Sequence, residues 1–132
     1  MGLIYLDSVF CIYSVEDLGP KGEKARNVVR SQDFEFVISP LVQMECLVIP
    51  YRLGRFDLEQ QYKRWFSTLK VLSISPEVYD QAARLRAVHP SLRTADALHL
   101  ATTQFGECSQ MWTGDAGFAK VGTPFVVNVF AS

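Results

Sequence analysis

Four acidic residues lie in apolar or small-residue stretches of the sequence, where carboxylates are seldom found. Asp7 directly follows the apolar run LIYL, and Glu45 lies within SPLVQMECLVI. Asp96 lies within RTADALHLA, and Asp115 directly follows QMWTG. Carboxylates rarely tolerate such surroundings unless they are paired or bound to a metal. Because carboxylates at close range repel and raise one another's pKa, an oxygen-preferring cation such as Mg²⁺ or Mn²⁺ would remove the conflict.

Each of these acids also has a simpler structural explanation. Asp7 could be an ordinary N-cap, and Asp115 could cap a short helix that follows it. Asp96 falls in the first turn of a predicted helix, where the helix dipole alone stabilises a carboxylate. Glu45 has no capping explanation, although it could face solvent on an amphipathic helix. Taken singly, each acid is therefore weak support for a site.

Short apolar runs alternate with helical patterns along the chain. Strands are predicted at residues 3–6, 34–38, 71–74, 110–113 and 125–129. Helices are predicted after Asp7 and at 21–31, 40–48, 57–69, 76–88 and 94–105, with a loop at 19–22, a turn at 49–56 and a helical turn at 115–120. This alternation predicts an α/β fold with a parallel sheet covered on both faces. Such sheets bind ligands beyond the carboxyl ends of their strands, which is where the four acids are expected.

The length and composition fit a single folded domain over residues 1–132, with 48% hydrophobic and 20% charged residues. Three scattered cysteines, Cys11, Cys46 and Cys108, cannot all pair within the chain and favour a reducing, cytoplasmic setting. No run approaches the roughly 20 apolar residues of a membrane span. The N-terminal residues MGLIYLDSVF lack the basic lead of a signal peptide. We therefore expect a protein without a membrane partner.

The motifs around these acids resemble those of the PIN domain, and within it the VapC-type toxins. They are IYLDS with FCIY, SPLVQMECL, LRTADALHLATT and WTGDAGFAKV, in the family's order and over nearly the whole chain. The segment RTADALHLA is the most specific of them. The resemblance implies a three-layer α/β/α fold with about five parallel strands. It also implies a ribonuclease site in which Asp7, Glu45, Asp96 and Asp115 hold Mg²⁺ or Mn²⁺.

The resemblance extends to residues beside the acids. Ser8 matches a polar position next to the first acid, and Thr113 a hydroxyl position next to the last. Val9 departs from the pattern, because many members carry Asn there, but this change removes no metal ligand. The implied reaction is in-line attack of water on the phosphorus of RNA, leaving a 5′-phosphate and a 3′-hydroxyl. Either Asp115 or Glu45 could orient that water.

Positive charge is concentrated in the middle of the chain. Residues 49–93 carry eight basic and four acidic side chains, a net charge of +4, whereas the rest carries five basic and ten acidic, a net charge of −5. Arg93, Arg52 and Arg55 are candidates for contacts with RNA phosphates, although solvent-facing roles explain each of them equally well. His89 lies in a predicted loop. His99, three residues after Asp96 on one helix face, could touch the site, but we expect it to have a packing role with its polar atoms satisfied.

The resemblance favours the toxin of a type II toxin–antitoxin pair, with an RNA substrate, a cognate antitoxin and a homodimeric state. A housekeeping PIN nuclease and a non-catalytic RNA- or protein-binding module are the alternatives. The aromatic run Tyr62, Trp65 and Phe66 suits a core, a dimer face or an antitoxin-binding groove. A phosphatase that forms an aspartyl phosphate is excluded, because it needs a second Asp two residues after Asp7, where this chain has Val9.

Overall fold

Five parallel strands form the central sheet of the computed structural model, which describes residues 2–30, 33–115, 118 and 125–130. The strands are β1 (Leu3–Leu6), β2 (Glu35–Ile38), β3 (Lys70–Val71), β4 (Gln110–Thr113) and β5 (Val126–Asn128). Their order across the sheet is β3-β2-β1-β4-β5. β1 is therefore the central strand, and its residues Ile4, Tyr5 and Leu6 are fully buried, as expected of a strand covered on both faces.

Helices connect consecutive strands, as parallel pairing requires. In the described part of the chain they are α1 (Ser8–Glu16), α2 (Pro20–Arg30), α3 (Pro40–Leu53), α4 (Phe56–Phe66), α5 (Pro76–Val88) and α6 (Thr94–Phe105). Because such connections are right-handed, the steps from β1 to β2 to β3 place α1–α4 on one face, and the step back to β4 places α5 and α6 on the other. The contacts agree: α1 packs on α2, α3 and α4, and α5 packs on α6. The fold is thus the predicted three-layer α/β/α arrangement.

The sheet reverses its winding direction between β1 and β4. The chain leaves β1 toward β2 and β3, and it returns to the other side of β1 when it enters β4. Ligands of open α/β sheets bind at such a switch point, beyond the carboxyl ends of the strands. Asp7 follows β1 directly and Asp115 follows β4 by two residues, so both lie at this point.

Two N-caps determine where the helices after β1 and β2 begin. Asp7 accepts a hydrogen bond from the Phe10 backbone N–H at 2.9 Å, and Ser39 accepts one from Val42 at 3.4 Å. Pro40 then occupies the first position of α3, where its missing N–H costs nothing. These caps place Ser8 in the first turn of α1 and Glu45 in the second turn of α3, near the carboxyl edge of the sheet.

The predicted turn at 49–56 is wrong for most of its length. α3 continues through Pro50 to Leu53 and ends at Gly54, whose φ of 63° is the left-handed conformation typical of a glycine helix end. An interior proline removes one backbone hydrogen bond, but Pro50 is buried, and its packing opposes that loss. α4 then begins at Phe56, with Arg55 as its N-cap, one residue before the predicted start at residue 57.

Smaller differences concern α2, β3 and the end of the chain. α2 begins at Pro20, so the predicted loop at 19–22 is partly helical. β3 consists of Lys70–Val71, whereas the sequence predicted a strand at 71–74. A Cβ on Gly22 would lie 1.9 Å from the Asp17 carbonyl oxygen, which explains a glycine inside this helix. Most of the helical turn predicted at 115–120 lies outside the described residues. No described helix is long and apolar enough to span a bilayer.

Candidate functional site

All four acids predicted from the sequence line one cleft of about 230 Å³ at the carboxyl edge of the sheet. Its lining consists of Asp7, Ser8, Val9, Glu45, Arg93, Ala95, Asp96, His99 and Asp115. Four separate elements contribute, because the acids follow β1, lie within α3, lie in the first turn of α6 and follow β4. The fold therefore brings together side chains up to 108 residues apart in sequence.

Asp7 is the most deeply buried of the acids, with 4% of its surface exposed. Its Oδ1 accepts the hydrogen bond from the Phe10 N–H, and its Oδ2 accepts one from the Thr113 hydroxyl. Burial raises the pKa of Asp7 from 3.8 to about 6, although the bonds from Thr113 and Phe10 oppose that rise. Because the charge of this carboxylate is poorly solvated, a nearby cation would stabilise its ionised form.

Thr113 links two of the acids through a single hydroxyl group. While it donates to Asp7, its oxygen accepts a hydrogen bond from the Asp115 backbone N–H at 2.9 Å. Asp115 in turn accepts a hydrogen bond from the Phe118 N–H at 3.2 Å, so its predicted capping role is also observed. Thr113 is fully buried at the end of β4 and acts as a fixed spacer between the two carboxylates.

Glu45 reaches the cleft from the middle of α3 and contacts His99. Its Oε1 lies 2.6 Å from His99 Nε2. Partial burial acts to raise the pKa of Glu45, but hydrogen bonds from His99 and Ser8 and the positive charge of Arg93 hold it below its usual value. Glu45 therefore stays ionised, and Ser8, which follows Asp7 in sequence, lies beside the Glu45 carboxylate.

Arg93 bridges the two remaining acids. Its guanidinium lies 2.8 Å from an Asp96 oxygen and 3.2 Å from Asp115 Oδ2. The ion pair with Asp96 raises the pKa of Arg93, which is therefore charged. Arg93, a candidate for phosphate contact from the sequence, lies at the cleft and contacts acids there, while its side chain remains 72% exposed.

The other two predicted phosphate contacts lie elsewhere. Neither Arg52 nor Arg55 is among the described residues that line the cleft. Arg55 forms an exposed ion pair with Asp57, with its Nη2 2.9 Å from an oxygen of that acid. Arg52 lies in the last turn of α3, seven residues after Glu45, so it is about 10 Å further along the same face of the helix.

The donor chemistry of the cleft fits a hard divalent cation, since its acidic groups offer only carboxylate oxygens. As the side chains are placed, no three His, Cys, Asp or Glu residues within the described ranges lie close enough to hold one ion. Arg93 already supplies a positive charge between Asp96 and Asp115. To bind a metal ion, Asp7, Asp96 and Asp115, with Glu45 beside them, would have to move closer together after the Arg93 guanidinium leaves the cleft.

Sequence reasoning missed a set of buried polar contacts behind the acids. His99 is buried and satisfied, as predicted, but it also contacts Glu45 and lines the cleft. Its other ring nitrogen lies 2.7 Å from the hydroxyl of Tyr5, which lies 2.7 Å from Ser39 Oγ. The spacing between Asp96 and His99 hinted at the first contact. Nothing in the apolar run around Tyr5 indicated the second.

The match to a family model covers residues 4–124 and is to the PIN domain. A toxin–antitoxin complex from Klebsiella pneumoniae is similar in structure, with a TM-score of 0.77, 23% identity, and coverage of 95% of this chain and 96% of that chain. The toxin VapC20 of Mycobacterium tuberculosis, described as cleaving the sarcin–ricin loop, gives a TM-score of 0.76 and 16% identity over 90% of this chain and 95% of that one.

A third similar structure is VapBC2 from Rickettsia felis bound to a DNA fragment from its promoter, with a TM-score of 0.70, 14% identity, and coverage of 96% of this chain and 98% of that chain. A comparison of the sequence with curated proteins gives no significant match. The similarity to solved structures extends over nearly the full length of each chain, and the family model spans every strand of the sheet but the last. The chain therefore belongs to the PIN domain family.

Proposed function

We propose that this protein is a metal-dependent endoribonuclease and the toxin of a type II toxin–antitoxin pair. The observation that carries the proposal is the convergence of Asp7, Glu45, Asp96 and Asp115 on one cleft at the switch point of the sheet. Structural roles explain the acids one at a time, but they do not explain why four elements bring them together. Membership of the PIN family adds support for a nuclease.

The residues of the cleft would have three different roles in such a reaction: metal binding, positioning of the acids and phosphate binding. Asp7, Asp96 and Asp115 would hold Mg²⁺ or Mn²⁺, and Glu45 would complete the acidic set. A divalent cation bound there would contact the scissile phosphate and make water a better nucleophile at neutral pH. Thr113 keeps the Asp7 carboxylate in place, and Ser8 does the same for Glu45. Arg93, once released from its acids, would bind a phosphate of the RNA backbone.

An RNA substrate is supported by the similar structure whose description names the sarcin–ricin loop as its target. The histidines of this chain give no support to a mechanism in which an imidazole pair activates the RNA's own 2′-hydroxyl. His99 is 3% exposed and both of its ring nitrogens are engaged. His89 ends α5 and is not among the described residues of the cleft. Hydrolysis by water at a carboxylate-held cation suits these residues better.

The proposal is tested by incubating purified protein with end-labelled structured RNAs in Mg²⁺, Mn²⁺ or EDTA. Asp96→Asn removes one carboxylate from the cleft, and Glu59→Gln is the matched control, because Glu59 pairs with Lys63 on α4. We expect cleavage by the wild type and by Glu59→Gln only with metal, and none by Asp96→Asn. Equal cleavage by all three proteins would contradict the proposed site. Metal-dependent RNA binding without cleavage in every arm would favour the non-catalytic module.

An antitoxin partner is the second part of the proposal, supported by the toxin–antitoxin complexes among the similar structures. Tyr62 and Phe66 of the aromatic run are core residues, whereas Trp65 lines a groove of about 370 Å³ with Val15, Val29 and arginines of α2. An apolar groove beside positive charge suits an acidic segment with apolar side chains. Co-expression with the product of a neighbouring small reading frame tests this, and Trp65→Ala should weaken the complex.

We also propose a homodimer in the cytoplasm. Large apolar side chains are exposed along α3 and at the start of α4, among them Met44, Tyr51, Leu53 and Phe56. A second copy of the chain would cover such a surface. The three cysteines are buried free thiols, in keeping with a reducing compartment. Sedimentation velocity of the wild type and of Leu53→Glu tests the dimer, since the charged variant should sediment as a monomer.

A further inference from the structure

A chain of buried hydrogen bonds lies behind Glu45. Ser39 Oγ lies 2.7 Å from the Tyr5 hydroxyl, which lies 2.7 Å from His99 Nδ1, and His99 Nε2 lies 2.6 Å from Glu45 Oε1. Tyr5 and Ser39 are fully buried and His99 is 3% exposed. The three residues come from β1, from the cap of α3 and from α6, and none of them is one of the acids.

The direction of each bond follows from the chemistry of the groups. The ionised Glu45 carboxylate can only accept, so His99 Nε2 carries the proton that it shares with that carboxylate. In a neutral imidazole, Nδ1 then accepts from the Tyr5 hydroxyl, and the Tyr5 oxygen accepts from Ser39. The Val42 backbone N–H donates to Ser39 Oγ at 3.4 Å and continues the chain into the first turn of α3. The imidazole is thereby held in one tautomer and one orientation.

Glu45 depends on such support more than the other acids do. Asp7, Asp96 and Asp115 have short side chains at strand or helix ends, whereas Glu45 extends from the middle of α3 beside the exposed Met44. A glutamate on a helix surface has three rotatable bonds and would spend much of its time in solvent. The contact with His99 replaces that freedom with one position, in which the carboxylate lines the cleft.

We propose that His99 is a positioning residue, which together with Tyr5 and Ser39 holds the Glu45 carboxylate in the acidic cleft. This inference rests on the proposed function, because it assigns Glu45 a place in the same metal-binding site. It predicts that breaking the chain weakens metal binding and slows cleavage while the binding of RNA is unchanged. Groups that orient acidic ligands from behind commonly affect metal affinity by about 10- to 100-fold.

The test compares His99→Leu, His99→Gln and Tyr5→Phe with the wild type. Leu removes the donor to Glu45, whereas the amide of Gln extends to about the position of Nε2 and can still donate to it. Thr102→Val is the matched control, because it removes a buried hydroxyl from the same helix, where Thr102 donates only to the Leu98 carbonyl. Mn²⁺ affinity is measured by calorimetry, kcat and KM by cleavage of labelled RNA, and the folded fraction by thermal melting.

We expect His99→Leu to bind Mn²⁺ about 10-fold or more weakly and to lose kcat with KM unchanged. His99→Gln should recover much of both losses, Tyr5→Phe should show a smaller loss, and Thr102→Val should match the wild type. His99→Leu that is folded and equals the wild type in Mn²⁺ affinity and kcat would overturn the role of His99. Losses that follow thermal stability alone, in Thr102→Val as well, would overturn it too.

Nuclear magnetic resonance of the metal-free protein separates this inference from the proposed function, because it needs neither metal nor substrate. The His99 Nε2 proton should exchange slowly with solvent in the wild type and rapidly in Glu45→Ala. If that contact is observed but the wild type neither binds Mn²⁺ nor cleaves RNA, the proposed function fails while the hydrogen-bonded chain stands. A rapidly exchanging Nε2 proton in the wild type would refute the chain itself.

Discussion

Asp7→Asn is expected to stabilise the metal-free protein at neutral pH while it abolishes cleavage. The Asp7 carboxyl is 4% exposed, and burial raises its pKa from 3.8 to about 6. At pH 7 the folded protein must therefore keep a poorly solvated charge that the unfolded chain exposes to water. Asn keeps the oxygen that caps α1 through the Phe10 N–H and carries no charge, but its amide nitrogen cannot accept the hydrogen bond from Thr113, so the pH-dependent part of the stability difference is the part that reports on burial of the charge.

The magnitude of this effect follows from the shift in pKa. At about 1.4 kcal/mol per pKa unit, a rise from 3.8 to about 6 corresponds to about 3 kcal/mol. Because the folded-state pKa is raised, the carboxyl contributes most to stability below pH 3.8, and that contribution is lost as the pH rises through about 6. The free energy of unfolding of the wild type should therefore fall relative to that of Asp7→Asn, with most of the change complete by pH 7.

The assay is urea denaturation of both proteins in EDTA at a series of pH values from 4 to 8. The difference in unfolding free energy should grow by about 2 kcal/mol in favour of Asp7→Asn between pH 4 and pH 8, because part of the total of about 3 kcal/mol has already developed at pH 4, above the unfolded-state pKa of 3.8. Other titrating groups are shared, so they cancel in the difference. Mg²⁺ should then stabilise the wild type more than Asp7→Asn, because the cation binds the folded site and needs the carboxylate.

Two parallel stability profiles would contradict the expected effect of burial, since they would mean that Asp7 titrates alike in the folded and unfolded protein. A wild type that gains stability relative to Asp7→Asn as the pH rises would refute it more strongly. That result would require bonds from Thr113 and Phe10 to outweigh burial, contrary to the order of their effects on the pKa.

Three further substitutions test other parts of the structure. Thr113→Val removes the hydroxyl that holds Asp7, so cleavage should fall about 10- to 100-fold, with recovery in Thr113→Ser, as measured by single-turnover kinetics. Arg93→Gln removes the guanidinium that pairs with Asp96 and Asp115, so calorimetry should show tighter binding of Mn²⁺. The same variant should bind RNA more weakly, and the salt dependence of that binding should fall by about one ion. An Mn²⁺ affinity equal to that of the wild type would contradict this prediction. Gly22→Ala places a methyl group 1.9 Å from the Asp17 carbonyl oxygen and should lower the unfolding free energy by about 1–3 kcal/mol in urea.

The strands and the site acids were predictable because buried parallel strands and their ends leave local signals. The run LIYL followed by Asp7 predicted a buried strand that ends at this acid, and β1 is that strand. The carboxyl-end rule then predicted that acids far apart in sequence would meet, and the cleft contains all four. These inferences needed only apolar patterning and the direction of the strands.

Other features depend on contacts that a linear pattern does not contain. The turn predicted at 49–56 was wrong because the sequence does not show that Pro50 is buried. Packing of this proline against the core lets α3 continue to Leu53. The hydrogen bond between His99 and Glu45 joins residues 54 positions apart. Tyr5 lies in an apolar strand, where its sequence context does not show that its hydroxyl contacts His99. Arg93 was a candidate for phosphate contact or for a solvent-facing role, and nothing in the sequence indicated its ion pairs with Asp96 and Asp115.

We propose that carboxylates at the switch point, together with a divalent cation, hydrolyse RNA with water as the nucleophile. The most direct test is to identify both ends of the cleavage products, using an RNA with a single 2′-deoxy nucleotide at the cleaved position beside the all-ribose RNA. We expect metal-dependent cleavage of both RNAs, with 5′-phosphate and 3′-hydroxyl ends, and no cleavage by Asp96→Asn. Products with 2′,3′-cyclic phosphate ends, formed only from the all-ribose RNA and unaffected by EDTA, would contradict it.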